Sequence, residues 1–176
     1  MIKLQKILSI QWGEIMNKEA LTYWEKYWEK QEQLKPEVPV SAWQFGANPD
    51  HLAQLVIDGI KTATCSGYIF YEMENEPLPT TGEYNIILNS QDEPVAIIRT
   101  TDVQILPMNE VPEEFAIAEG EGDRTYEYWY TSHKEFFTIE LNKVGKTFSD
   151  DMLVVCERFE LVDVKQKDEK MNNYTK

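Results

Sequence analysis

Apolar positions first recur with helical spacing just after Asn17. Leu21, Trp24, Tyr27 and Trp28 share one face, with Glu25, Lys26, Glu29 and Lys30 opposite, which predicts an amphipathic helix. The polar stretch 31–39 holds Pro36 and Pro39, residues that stop helices, and reads as a linker. Ser41-Ala42-Trp43-Gln44-Phe45-Gly46 follows as a short strand closed by glycine. Asn48-Pro49-Asp50 predicts a second helix, with Asn48 as N-cap, Pro49 in the first turn and Asp50 facing the positive dipole end. Leu52, Leu55 and Val56 are its buried stripe and Gly59 its stop. Thr64 through Tyr71 reads as strand.

Past the turn signal Thr80-Thr81-Gly82, Tyr84–Leu88 and Val95–Thr101 predict a hairpin, which Val103–Leu106 either continues or pairs beside. Val111-Pro112-Glu113-Glu114 opens a short helix that ends near Gly120. Asp123 is expected to cap a longer helix whose face is Tyr126, Trp129, Tyr130, His133, Phe136, Phe137 and Ile139 to Leu141. Gly145 stops it, and Met152–Val164 closes the fold as a strand. Strands cluster rather than alternating strictly with helices, so the expected class is α+β, a small curved sheet or barrel with helices alongside. The expected organisation is an N-terminal extension and helix over 1–40, a folded domain over 41–164 and a polar tail over 165–176. Met16 precedes a good helix opening, so residues 1–15 also read as an upstream extension.

Composition narrows the function classes. The chain has 176 residues and a formal net charge of −14. A sequence-blind binder of duplex DNA should be basic, and no apolar run approaches the ~20 residues that span a bilayer. The only cysteines, Cys65 and Cys156, form no CxxC motif, and calcium-loop spacing is absent. The expectation is therefore a cytoplasmic protein with two reduced thiols and no metal or cofactor, although one disulfide between the thiols stays open.

Three stretches carry candidate chemistry. Gly59-Ile60-Lys61-Thr62-Ala63-Thr64 could aim an amine and a hydroxyl into one pocket, but strand alternation separates Lys61 from Thr64 unless the junction is irregular. The alternative is a solvated lysine at a helix end. Ala118-Glu119-Gly120-Glu121-Gly122-Asp123-Arg124 gathers carboxylates that could hold a cation, do acid–base work or pair with lysine, or else simply caps a helix. Trp43 and Phe45, beside Gly46, suit a pocket wall that stacks a base. His133 reads as a hydrogen-bonded, half-buried histidine. Arg99 reads as solvent-facing or paired with an acid across the sheet, Glu119 or Glu121 being candidates.

Taken in order, Trp43–Gly46, Gly59–Thr64, Ile98-Arg99-Thr100-Thr101-Asp102-Val103 and Glu119–Arg124, with Tyr128-Trp129 and His133 through Phe137, resemble the ASCH domain family of the PUA-like superfamily over about Ser41–Val164. The resemblance implies a small PUA-like β-barrel with flanking helices around a cleft, here with an N-terminal helical extension, and a link to RNA or modified nucleosides. Some small members remove the acetyl group from N4-acetylcytidine; others are ribonucleases or RNA-binding modules. In the amidohydrolase pattern the lysine matches Lys61, the threonine Thr64 and the glutamate Glu121, with Glu119 the fallback. This chain is longer and differs after the acidic loop, which bears on substrate more than on fold.

The implied mechanism has a desolvated Lys61 of lowered pKa activating Thr64 or water. Glu121 passes a proton to the departing nitrogen, and Trp43 or Phe45 stacks the ring. Arg99, Glu119 and Arg124 complete the expected substrate-binding set. The expected partner is a modified nucleoside or single-stranded RNA, with no duplex DNA and no membrane. The rival reading is a non-catalytic module in which Lys61 and Arg99 meet phosphate, and a ribonuclease lies between the two.

Overall fold

The computed structural model describes residues 16–46 and 48–166; residues 1–15, read above as an upstream extension, and 167–176 of the polar tail lie outside the described residues. The elements run α1 (Lys18–Glu29), β1 (Val40–Gln44), α2 (Pro49–Ile57), β2 (Ala63–Gly67), α3 (Tyr68–Glu74), β3 (Tyr84–Leu88), β4 (Pro94–Pro107), α4 (Glu113–Glu119), α5 (Tyr126–Lys143) and β5 (Leu153–Val164). The strands form one mixed sheet in the order β1-β3-β4-β5-β2. β1 runs parallel to β3, and the other neighbours pair antiparallel. Register shifts at Ile87/Leu88, Ile97/Ile98 and Thr100/Asp102 bend the strands, so the sheet curls into a half-barrel. This is the α+β fold expected.

Alternation along the strands separates the packing layers. Ile86, Leu88 and Ile97 lie under α1 with Tyr23 and Trp24. Ile87, Ala96, Ile98 and Phe159 face the other way, toward α2 and the rings of Trp43 and Phe45. Ala63, Val154 and Cys156 pack against Phe115 of α4 and Trp129, Phe137 and Leu141 of α5.

Several local expectations are corrected. On α1 the buried residues are Ala20, Tyr23 and Trp24, whereas Leu21 is exposed. The docked face is the one whose Tyr23 hydroxyl reaches Asp163, donating at 2.7 Å. The strand expected through Tyr71 stops at Gly67, and α3 takes over. A Cβ at Gly67 would sit 2.8 Å from the Phe70 ring, so glycine is what lets Phe70 fold back. Asp123 is not the cap of α5. Thr125 is, its hydroxyl accepting from the Tyr128 amide at 3.1 Å, while Asp123 accepts from the Thr125 amide at 2.9 Å. Ile139 is exposed on α5.

The β3–β4 turn is tied to three elements. Asn17 Nδ2 donates to the Asp92 carbonyl at 2.9 Å and Gln44 Nε2 to the Asp92 carboxylate at 2.6 Å. The Ser90 amide and hydroxyl donate to Asp50 at 2.8 and 2.7 Å.

Candidate active site

Lys61 stands in an irregular junction between α2 and β2. Gly59, at φ +69°, turns the chain out of the helix, and the amides of Ile60 and Lys61 both donate to the Leu55 carbonyl, at 2.8 and 3.0 Å. Thr62 then binds outward on both sides. Its amide donates to the Ala118 carbonyl of α4 at 2.8 Å, and its own carbonyl accepts from the Phe159 amide of β5 at 2.9 Å. These bonds fix where the lysine side chain starts.

The acidic loop approaches through two glycines. Gly120 ends α4 at φ +71°, and a Cβ there would lie 2.7 Å from the Ile60 carbonyl oxygen. At Gly122 a Cβ would lie 2.2 Å from the Tyr128 ring. Left-handed backbone at these points brings Glu119 and Glu121 to the same amine from either side of Gly120.

The Lys61 amine donates to Glu119 Oε2 at 3.0 Å, to the Glu119 carbonyl at 3.4 Å and to Glu121 Oε1 at 2.6 Å. An ammonium has three N–H bonds, and all three are used. The Phe45 ring lies 5.3 Å from the nitrogen, within cation–π range. Glu119 Oε1 accepts from the Trp129 indole at 2.7 Å and faces His133 Nε2 at 3.4 Å. His133 Nδ1 bonds the Trp129 carbonyl at 2.8 Å. A carbonyl only accepts, so Nδ1 carries hydrogen, and Nε2 facing a carboxylate favours a second.

Burial opposes ionisation in this group, but the mutual charges outweigh it. Lys61 and His133 hold Glu119 down at about 2. Glu119 and Glu121 hold Lys61 above its ordinary value, and Glu119 does the same for His133. The centre thus sets the Lys61 ammonium and the His133 ring against two acidic side chains. The lowered amine pKa expected for Lys61 is not met, because burial comes with two anions rather than alone. The two acids differ sharply in access: Glu119 is 2% exposed and Glu121 33%.

The other expected residues distribute unevenly. Thr64 is half-buried in β2, opposite Glu157, and its hydroxyl makes no hydrogen bond to a described residue, Lys61 included. Trp43 and Phe45 are buried, edge to face with centroids 4.8 Å apart, so they form core wall rather than an open stacking platform. Arg99 does not meet Glu119 or Glu121. It sits on the α1 side, paired with its cross-strand neighbour Glu160 at 2.5 Å. Arg124 is exposed in the acidic loop at φ +63°.

Sequence reasoning gave Trp129 and His133 no part in the centre, although their i,i+4 spacing just after the acidic loop is a usable signal. It also missed Asn85, a polar residue inside the apolar run Tyr84–Leu88, whose Oδ1 accepts from Ser41 at 2.7 Å and Trp43 at 2.8 Å.

The family model for the ASCH domain matches residues 41–163. A crystal structure of protein EF3133 from Enterococcus faecalis V583 is similar, with a TM-score of 0.74 and 45% identity over 84% of this chain and 90% of that one. An ASCH domain from Lactobacillus crispatus JV V101 superposes with a TM-score of 0.77 at 31% identity, covering 85% of this chain and 97% of that one. No curated protein matches. No helix among the described residues is long and apolar enough to cross a membrane. The chain belongs to the ASCH domain family and has its small PUA-like α+β fold.

Proposed function

We propose that this chain recognises a pyrimidine nucleoside, free or at a single-stranded RNA end, and hydrolyses an N4-acyl group from it. The observation that carries the reading is the division of labour around one amine: Glu119 is sealed in, while Glu121 meets solvent. A substrate that draws Glu121 away frees one N–H of Lys61 to bind the acyl oxygen as it gains negative charge. Lys61 then acts as a cation, not as a base. Glu121 takes the proton of the Thr64 hydroxyl as that oxygen attacks the acyl carbon, and delivers it to the departing cytosine nitrogen. Water hydrolyses the resulting ester and regenerates the hydroxyl. Arg124, exposed two residues past Gly122, would meet sugar or phosphate.

The saturated state of the Lys61 amine favours a second reading, recognition without turnover. Acetate release from N4-acetylcytidine, with calorimetric binding of the same compound and of short single-stranded RNA, separates the two. Turnover that falls about 10²–10⁴-fold in Glu121→Gln and Lys61→Ala, the range for lost acid–base or oxyanion groups, supports hydrolysis. Binding without turnover leaves the recognition module. Neither binding nor turnover rejects both.

A further inference from the structure

We propose that Cys65, Glu119 and His133 form a binding site for a thiophilic divalent cation such as Zn²⁺, beside the Lys61 centre. The three residues come from β2, the end of α4 and the middle of α5. Their ligand atoms all lie within 4.8 Å of one another. Tetrahedral zinc with bonds of about 2.0–2.3 Å sets its donors roughly 3.3–3.6 Å apart. The His133 Nε2 to Glu119 Oε1 separation of 3.4 Å already fits that edge and is long for a hydrogen bond. The Cys65 sulfur, which faces Cys156 across the strand pair, lies within 4.8 Å of both other ligand atoms and would have to move in to complete the set.

The surroundings are those of a ligated histidine. His133 Nδ1 is anchored on the Trp129 carbonyl, which fixes the ring and turns Nε2 toward the site, as outer partners of metal-bound histidines do. Trp129 Nε1–H also braces Glu119 Oε1. The Lys61 ammonium occupies the other carboxylate oxygen, Oε2, so it does not compete for the lone pair that His133 faces.

Charge balance removes the objection that a cation would enter beside a lysine. The metal replaces the proton between His133 and Glu119 and the thiol proton of Cys65. Each proton displaced offsets one unit of the charge that M²⁺ brings. The three protein ligands leave a fourth position for water, the composition of an open rather than a closed zinc site. The inference does not depend on the nucleoside reading.

The test is titration of the full chain with Co²⁺ and Zn²⁺ under reducing conditions. Co²⁺ is expected to give a near-ultraviolet thiolate charge-transfer band that disappears in Cys65→Ser and persists in Cys156→Ser. Release of the Cys65 thiol proton predicts that Zn²⁺ affinity rises at least about tenfold per pH unit near neutrality. Absence of the band in the folded wild type overturns the site. So does a band that survives Cys65→Ser, or a pH slope near zero. Because the readouts are spectral and thermodynamic, loss of nucleoside activity has no bearing on them.

Discussion

Where α1 crosses β3 and β4, the contact is made of rings. Trp24 lies 5.1 Å from Tyr84, and Trp28 stands edge-on to both at 5.5 and 5.8 Å. Between the same sheet and α4 and α5, an ammonium and a carboxylate are buried, with a half-buried histidine of α5 against the carboxylate. The two regions are held by different physics. The aromatic contact draws on apolar area, which does not respond to pH. The ionic centre adds little over an apolar core of equal volume, but it fixes three side chains in one geometry and penalises the loss of any one.

Removing one member of each region sharpens that contrast. Glu119→Ala takes the sealed carboxylate from the buried ammonium, leaving it Glu121 and one carbonyl, strands an indole N–H, and is expected to cost about 3–5 kcal/mol in urea unfolding at pH 7. Trp24→Ala is expected to cost a similar 3–5 kcal/mol through lost burial and a cavity. Its cost should be the same at pH 6 and pH 8; a marked pH dependence for Trp24→Ala would break the comparison.

A smaller effect follows from titration. His133 has its pKa raised in the fold, so its contribution is complete below the ordinary 6.5 and is lost as pH rises through the folded value. Glu119 has its pKa lowered from 4.5 to about 2, so its contribution is present above 4.5 and is lost as pH falls toward 2. Thermal midpoints of the wild type should therefore decline above pH 6.5. His133→Gln should start lower and lose that decline, and an unchanged slope would remove the histidine from the centre.

The smallest effect belongs to the surface. Arg99 and Glu160 are about half exposed, and solvent screens such pairs. Arg99→Ala is expected to change stability by less than about 0.5–1 kcal/mol, measured by the same unfolding curves.

Most elements were legible because local signals agreed with the fold: the Asn48-Pro49-Asp50 opening, the Gly59 and Gly120 stops and the hairpin. Tyr68–Tyr71 misled, since aromatic residues favour strands locally and only the space above Gly67 turns them into helix. The face of α1 was misread because Leu21 and Tyr23 fit the same spacing, and the partner that decides, Asp163, is 140 residues from Tyr23. At the site, residue types and order pointed to Lys61 and the acidic loop. Spacing could not tell which glutamate is sealed and which is wet, because that depends on Gly120 pressing against Ile60. Nor could it place Arg99, whose face depends on the register of β4.

The bonds converging on Ser90 and Asp92 make that hairpin tip a poor place to splice in a tag or open the chain for circular permutation, although it looks like an ordinary surface loop. The segment near Thr80–Thr81, with its side chains largely in solvent, is the better insertion point. A fluorophore or affinity handle there would leave the clasp between the first helix, the edge strand and the second helix undisturbed.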